Sequence, residues 1–300
     1  MSAAAQLQSK LPGILTSASQ GLFRLSLEEC AAEARALNAA NAIDGDDPRR
    51  FIEGLIRPIF FTGAPDALRA GEYFIVVSMN PKFEETSSRS RDAKLFWSQA
   101  PRLNADSRQH YEECASHFAA TRIPHSFFET LKPVAESFAA ARGIEVRADD
   151  RNAHLRRTVL ALEAIPFFSK SSGHLANVPT GPIANINRRV RLEILVQHPP
   201  RAIYVHGAGG HEALTAFGDA GVLSAWRDGS FEHRKTWRKG KRAGTTFACR
   251  FQVSELTVRG GRAIKVVWTP FVRSLHGPGT REQRAELGAL LANGVATNTH

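Results

Sequence analysis

The chain has 300 residues, 43% of them hydrophobic, with 39 Lys and Arg against 29 Asp and Glu, for a formal charge of +10. That length buries one generous core, and the cationic excess points to a polyanionic partner, with nucleic acid the first candidate. Cys30, Cys114 and Cys249 stand far apart with no Cys-x-x-Cys pair, which excludes a disulfide framework and a four-cysteine metal or iron-sulfur site.

No apolar run reaches the roughly 18 residues of a membrane span, and no basic-then-apolar leader pattern opens the chain. No membrane contact is expected, and the cytoplasm is the expected compartment. From Leu25 to Ile56 apolar residues recur at helical spacing, interrupted by the turn-forming Asp44-Gly45-Asp46-Asp47-Pro48. Residues 1–70 therefore read as a helical N-terminal extension.

Tyr73-Phe74-Ile75-Val76-Val77 is a continuous β-branched and aromatic run of the kind found in central parallel strands, ending in Ser78-Met79-Asn80-Pro81. Helices are predicted near Ser107–Ala119 and Phe127–Ala141, the second closed by Gly143. Short apolar strands follow at Thr158–Pro166 and Ala202–Val205, and a glycine turn then opens a helix over Gly210–Phe217. Thr245–Val258 and Ala263–Trp268 flank Arg259-Gly260-Gly261-Arg262, a β-hairpin turn. Glu282–Leu291 reads as a closing helix, and 293–300 as a frayed tail.

Strands alternating with helices predict an α/β fold: a three-layer α/β/α arrangement with a mostly parallel central sheet. The catalytic domain is placed at 71–292, with a basic β-hairpin region near its C-terminal end. In such sheets ligands bind beyond the carboxyl ends of the strands, so the polar residues there are the first candidates. Four places qualify: Asn80, Glu163 with Ser169, His206, and the segment after Trp268.

Val76-Val77-Ser78-Met79-Asn80-Pro81 resembles the first motif of the uracil-DNA glycosylase superfamily, in the Gly-Met-Asn-Pro-Gly form of its single-strand-selective branch. The resemblance implies that Asn80 positions the attacking water and Pro81 fixes the loop. Ser78 and Lys82 depart from it, standing where the family usually has glycine. The family also has an aromatic residue beyond this motif that stacks on the extruded base, which implies that role for Phe96 and Trp97. Such stacking is worth roughly 1–3 kcal/mol per base.

Leu162-Glu163-Ala164-Ile165-Pro166-Phe167 resembles the second core strand, where the family reads uracil with an Asn. Glu163 stands in its place. A carboxylate only accepts hydrogen bonds, so it repels a uracil carbonyl and suits the exocyclic amine of cytosine. A cytosine-derived base is the expected substrate; a glutamate bridging Arg156 or Arg157 is the structural alternative. Phe167 and Ser169 join the base-binding set, with Pro166-Phe167-Phe168 as a pocket wall.

Ala202-Ile203-Tyr204-Val205-His206-Gly207 resembles the third core strand. Its glycine turn lacks the third glycine of a dinucleotide fingerprint, because Glu212 stands there, and no Gly-x-Ser-x-Gly accompanies it as a lipase would need. The fourth strand departs most: the family ends it with a His-Pro-Ser-Pro-like motif, and here Thr269 stands in place of the His. His276, seven residues on, is the expected substitute.

The reaction implied is hydrolysis of an N-glycosidic bond through an oxocarbenium-like transition state, catalysed by electrostatics around a leaving base. Asn80 and His276 are the catalytic candidates, and the scheme requires no metal or organic cofactor. Phosphate contacts are expected from two basic segments. Arg234, Lys235, Arg238, Lys239, Lys241 and Arg242 surround Trp237 in an expected loop, and Arg188 and Arg189 stand in an expected basic helix start. DNA, duplex or single-stranded with a flipped base, is the expected partner of a monomeric enzyme. Excising ordinary cytosine is lethal, so a modified cytosine such as those of viral genomes is the expected target, in repair or antiviral defence. Two other classes stay open: a nucleic-acid-binding protein of the same fold without catalysis, and a nucleoside or nucleotide hydrolase.

Overall fold

A computed structural model describes residues 13–53, 56–63, 68, 71–79, 81, 100–124, 126–146, 149–171, 175, 177, 180–207, 214, 220–236, 244–270 and 277–293. The architecture is mixed α/β around one curled, mixed sheet of eight strands. The strands are β1 (Phe61–Gly63), β2 (Phe74–Ser78), β3 (Val159–Glu163), β4 (Ala202–His206), β5 (Gly221–Leu223), β6 (Arg227–Thr236), β7 (Thr246–Val258) and β8 (Ala263–Thr269). Their order is β1-β3-β2-β4-β8-β7-β5, with β6 also on β7.

The four central strands, β3-β2-β4-β8, are mutually parallel. Antiparallel pairs flank them on both sides: β1 on β3, then β7 on β8, with β5 and β6 on β7. The sheet is therefore more mixed than the expected, mostly parallel one. The cause is short connections, since the tight Arg259–Arg262 turn can only reverse the chain. Gly260 and Gly261 adopt φ of +103° and +84° there, which a side chain would disfavour.

The described helices include α1 (Gly13–Phe23), α2 (Leu27–Ala40), α3 (Ser107–Ala115), α4 (Ser126–Ala141), α5 (Ala153–Thr158), α6 (Pro182–Gln197) and α7 (Arg281–Ala292). Several starts are written in the sequence. Ser26 and Glu29 close a capping box on α2, and Thr280 and Gln283 close one on α7. Helix α6 opens on Pro182 after Gly181, and the carboxylate of Glu33 accepts from the Ile183 and Ala184 amides at 2.9 Å each, tying α2 to it. The Gly210–Phe217 helix and the 293–300 tail fall wholly or largely outside the described residues.

Period-two alternation sends the central strands' apolar residues to both faces. One face carries Ile75, Val77, Leu160, Leu162, Ile203, Val205 and Val266, packed with residues of α1, α2 and α6 such as Leu15, Leu22, Leu37, Ile183 and Ile194. The other carries Phe74, Val76, Val159, Ala161, Tyr204 and Val267, packed with Leu131, Phe138, Leu155, Leu287 and Leu291 of α4, α5 and α7. The segment read as an N-terminal extension thus shares the sheet's core, and it supplies the edge strand β1 through Phe61↔Leu162. The expected loop carrying the basic cluster also begins as strand, because β6 continues to Thr236.

Helix α7 lies against α4 where Gly288 leaves room for backbone. A Cβ there would sit 2.3 Å from the Val134 carbonyl oxygen and 2.8 Å from Ser137 Cβ, and Ser137 Oγ already donates to the Ala285 carbonyl at 2.6 Å. Gly288→Ala is expected to cost about 1–3 kcal/mol by forcing the helices apart. Chemical denaturation should show a lower midpoint with an unchanged slope; an unchanged midpoint would refute the close α4–α7 contact.

Candidate active site at the carboxyl edge of the sheet

The chain runs from β2 to β3 on one side and then returns to β4 on the other, so the topological switch lies between β2 and β4. Ligand crevices of open α/β sheets form outside the carboxyl ends of strands at such a point. Register shows what stands there. Ser78 is opposite Glu163, His206 is opposite Thr269, and the β2–β4 pairing ends at Val77↔Val205, one residue short of Ser78 and His206. Alternation places all four on one face, so Glu163, Ser78, His206 and Thr269 form a polar row across four adjacent strands, about 14 Å long.

Pairing continues past the strand ends on the β2–β3 side. Ala164 N donates to the Ser78 carbonyl at 2.9 Å, Ile165 N to Met79 at 2.7 Å, and Ser169 N to Pro81 at 3.2 Å. Ser78, Met79 and Pro81 are thereby laid along the Glu163–Ser169 segment. Asn80 itself, with Phe96, Trp97 and His276, lies outside the described residues.

Glu163 is buried, and its Oε2 has no hydrogen-bond partner among the described residues. The alternative of a bridge to Arg156 is not what forms, since Arg156 pairs with Asp150 at 2.5 Å. From α6, Asn187 Nδ2 donates to the Glu163 and Ala164 carbonyls at 3.0 and 3.2 Å, and Arg191 to the Ala164 carbonyl at 3.0 Å. These bonds fix the end of β3 by its backbone and leave the carboxyl uncompensated. Desolvation pushes its pKa up to about 8, so at neutral pH it is mostly a neutral acid. This corrects the acceptor-only reading: a protonated carboxyl presents one donor and one acceptor, like the amide it replaces.

His206 stacks on Phe127 at the start of α4, with ring centroids 4.4 Å apart at 30°, and lies 6.0 Å from the Tyr204 ring. Burial holds its pKa down at about 4, so it is a neutral imidazole at pH 7. Thr269 is fully buried; its Oγ1 lies 2.9 Å from the Tyr204 hydroxyl and donates to the Pro270 carbonyl at 2.9 Å. That hydroxyl braces the end of β8. His206, kept out of the sequence-derived catalytic set, is the imidazole in the row, and its place two residues after the buried Tyr204 on a parallel strand was the signal for it.

The remaining sequence candidates separate. Phe167 is buried in the core 6.3 Å from the Phe51 ring, and the fully buried Ser169 donates from Oγ to the Ser171 carbonyl at 2.8 Å. Both side chains are buried, as Glu163 is. Arg188 and Arg189 are exposed, but they stand inside α6, which begins at Pro182, not in a helix start. Arg234 is exposed on β6. Lys235 instead is half-buried on the opposite face of that strand, its amine against Gly279 and its pKa lowered by burial, so it anchors the strand. Trp237, Arg238, Lys239, Lys241 and Arg242 lie outside the described residues. Among the described residues no three His, Cys, Asp or Glu side chains group as metal ligands.

No known family profile matches the chain, and no curated protein matches it. Among solved structures it aligns with a crystal structure of a domain of unknown function, DUF1537, from Bordetella bronchiseptica with bound citrate. Identity is 16%, over 76% of this chain and 44% of that one, with a TM-score of 0.23. The chain spans less than half of that structure's length, and a likeness this slight carries no argument.

The buried acid has a measurable consequence. Between its ordinary value of 4.5 and about 8, the folded chain keeps a proton on Glu163 that the unfolded chain releases. Stability from this group therefore falls as pH rises through that window, and the whole penalty is present above it. Glu163→Gln should melt near wild type at about pH 5 and above wild type at about pH 9. Parallel melting curves across that range would show that the carboxyl is not desolvated.

Proposed function

We propose that this chain is a monofunctional DNA glycosylase of the uracil-DNA glycosylase type, hydrolysing the N-glycosidic bond of a base flipped out of DNA. In this reading the core is a three-layer α/β/α sandwich, and the enzyme acts as a cytoplasmic monomer. One observation carries the reading. The four segments that resemble the family's motif strands are the four adjacent parallel strands, and their polar ends share one edge at the topological switch.

The chemistry divides among residues of the motif segments. Asn80 holds the water that attacks C1′, and Phe96 and Trp97 stack on the extruded base. Glu163 reads the base edge. As a neutral acid it donates to N3 of cytosine while accepting from its exocyclic amine, forming a two-bond pair. The same acid also satisfies uracil, by accepting from N3–H and donating to O4. The ionised carboxylate keeps one bond to either base, from the cytosine amine or from uracil N3–H, and repels the remaining acceptor, cytosine N3 or uracil O4. A cytosine-derived base, including a 5-modified cytosine, is therefore held best below the Glu163 pKa and more weakly above it. As the leaving base gains negative charge, a neutral imidazole donor stabilises it. His206 stands in the row for that role, and His276 is the candidate that the sequence offers.

A second reading draws on Thr269, whose engaged hydroxyl leaves no donor at the family's histidine position: a DNA-binding protein of this fold without catalysis.

The test is a panel of DNAs carrying uracil, mismatches and bulky 5-modified cytosines, scored for abasic sites by mass spectrometry. Abasic product is expected from wild type and not from Asn80→Ala. Excision should fall between about pH 7 and pH 9 as Glu163 ionises and lose that dependence in Glu163→Gln. Of His206→Gln and His276→Gln, the one removing the base donor should lower the single-turnover rate by about 10²–10³. Absence of abasic product on every substrate, with DNA binding retained, would replace this reading with the second.

A further inference from the structure

Strands β6 and β7 form a ribbon that outruns its neighbours. The β7–β8 pairing ends at Gln252↔Trp268, whereas β7 begins at Thr246, opposite Thr236 of β6. Residues 246–250, about 17 Å of strand, therefore extend past the carboxyl end of β8. That is the edge on which the polar row lies.

The two faces of the ribbon differ sharply. One carries the buried Phe231 and Cys249, with Phe251 ring-to-ring on Phe231 at 5.0 Å, all in the core shared with α7. Pairing shifts at a bulge between Ser230 and Arg234, and α7 takes up the backbone there. The Glu286 carboxylate accepts from the Glu232 and His233 amides at 2.6 and 2.9 Å, and Gln283 donates to the His233 carbonyl at 2.8 Å. Anchored by one face and one bulge, the ribbon is rigidly held.

The other face carries Ser230, Arg234 and Thr236 from β6 and Thr246, Ala248 and Arg250 from β7; all but Ala248 are exposed. Arg234 stands opposite Ala248 and Arg250 opposite Ser230, so the two arginines lie on a diagonal, about 7 Å apart. Neither has an ion-pair partner among the described residues, whereas Arg227 on the same strand reaches Glu255 at 3.5 Å. The acidic residues nearest to them on the strand are Asp228, held by Gln252 Nε2 at 2.9 Å, and Glu232 in the bulge.

Two guanidinium groups with no ion-pair partner among the described residues, on a rigid arm that runs past the same sheet edge with its arginine face turned away from the polar row, match a polyanion with regularly spaced charge. The shape selects the kind. A two-stranded ribbon fits the major groove of B-form DNA, about 12 Å wide, and not the deep, narrow major groove of A-form RNA. We propose that the β6–β7 ribbon is a docking arm for duplex DNA, seated in the major groove with Arg234 and Arg250 on phosphates, so that the duplex is presented to the carboxyl edge. The inference rests on the base-excision reading for the identity of its partner, and binding is scored separately from catalysis.

The experiment measures binding of the full chain to a labelled DNA duplex of about 20 base pairs, to one of its single strands, and to the RNA duplex of the same sequence, between about 50 and 200 mM salt. The DNA duplex is expected to bind at least several-fold more tightly than the other two. The Arg234→Gln/Arg250→Gln variant should melt like wild type and flatten the slope of log affinity against log salt by about 2, near 0.9 per lost phosphate contact. An unchanged slope, or equal affinity for single strand or RNA duplex, overturns the proposal. Duplex binding with these properties but no abasic product sinks base excision and leaves the arm standing. Abasic product with an unchanged slope in the double variant does the reverse.

Discussion

Burial of the central strands on both faces is the constraint on which the rest of this structure depends. Phe74 to Val77, Val159 to Leu162 and Ala202 to Val205 are all essentially without solvent contact, so no polar side chain is tolerated along their length. Polar chemistry is displaced to the strand ends. Because the four strands are parallel and in register, their ends coincide, and Glu163, Ser78, His206 and Thr269 are assembled by the sheet itself rather than by any loop.

The same burial sets the electrostatics of the row. A carboxyl with no partner among the described residues and apolar strands beneath it holds its proton, and an imidazole stacked beneath Phe127 gives its proton up. An acid and a base are thus both neutral near pH 7, which is how an interior keeps hydrogen-bonding capacity without stranded charge. The charged machinery is held elsewhere. Arg191 and Asn187 grip the carbonyls at the end of β3 from α6, and the exposed arginines of the ribbon stand on an antiparallel extension that α7 braces. The neutral row and the exposed arginines are separate parts of one sheet.

Helix α7 ties these parts together. It packs on α4 through Gly288, closes over Leu287 and Leu291 on the face that carries the row, and supplies Glu286 and Gln283 to the bulge of β6. A helix at the C-terminal end of the described chain thereby sets the position of the ribbon relative to the sheet edge.

Much of this was legible in the residues themselves. The unbroken apolar runs marked the central strands, Gly260-Gly261 marked the hairpin, Gly143 marked the end of α4, and the Ser-x-x-Glu pattern at Ser26 marks the start of α2, because these signals act over a few neighbouring residues. Glu163 was also visible as a polar residue ending a buried strand. What only the tertiary structure decided depends on partners distant in sequence. Glu163 reads as a carboxylate until its burial is known; Thr269 reads as a lost catalytic position until Tyr204 is found on its hydroxyl; His206 gains its place only from register with β8. Lys235 and Arg234 are adjacent cations in the sequence, but strand alternation sends one to Gly279 and the other to solvent. Local chemistry determined where elements and polar strand ends would be, and long-range packing decided which face each side chain took and what charge it could carry there.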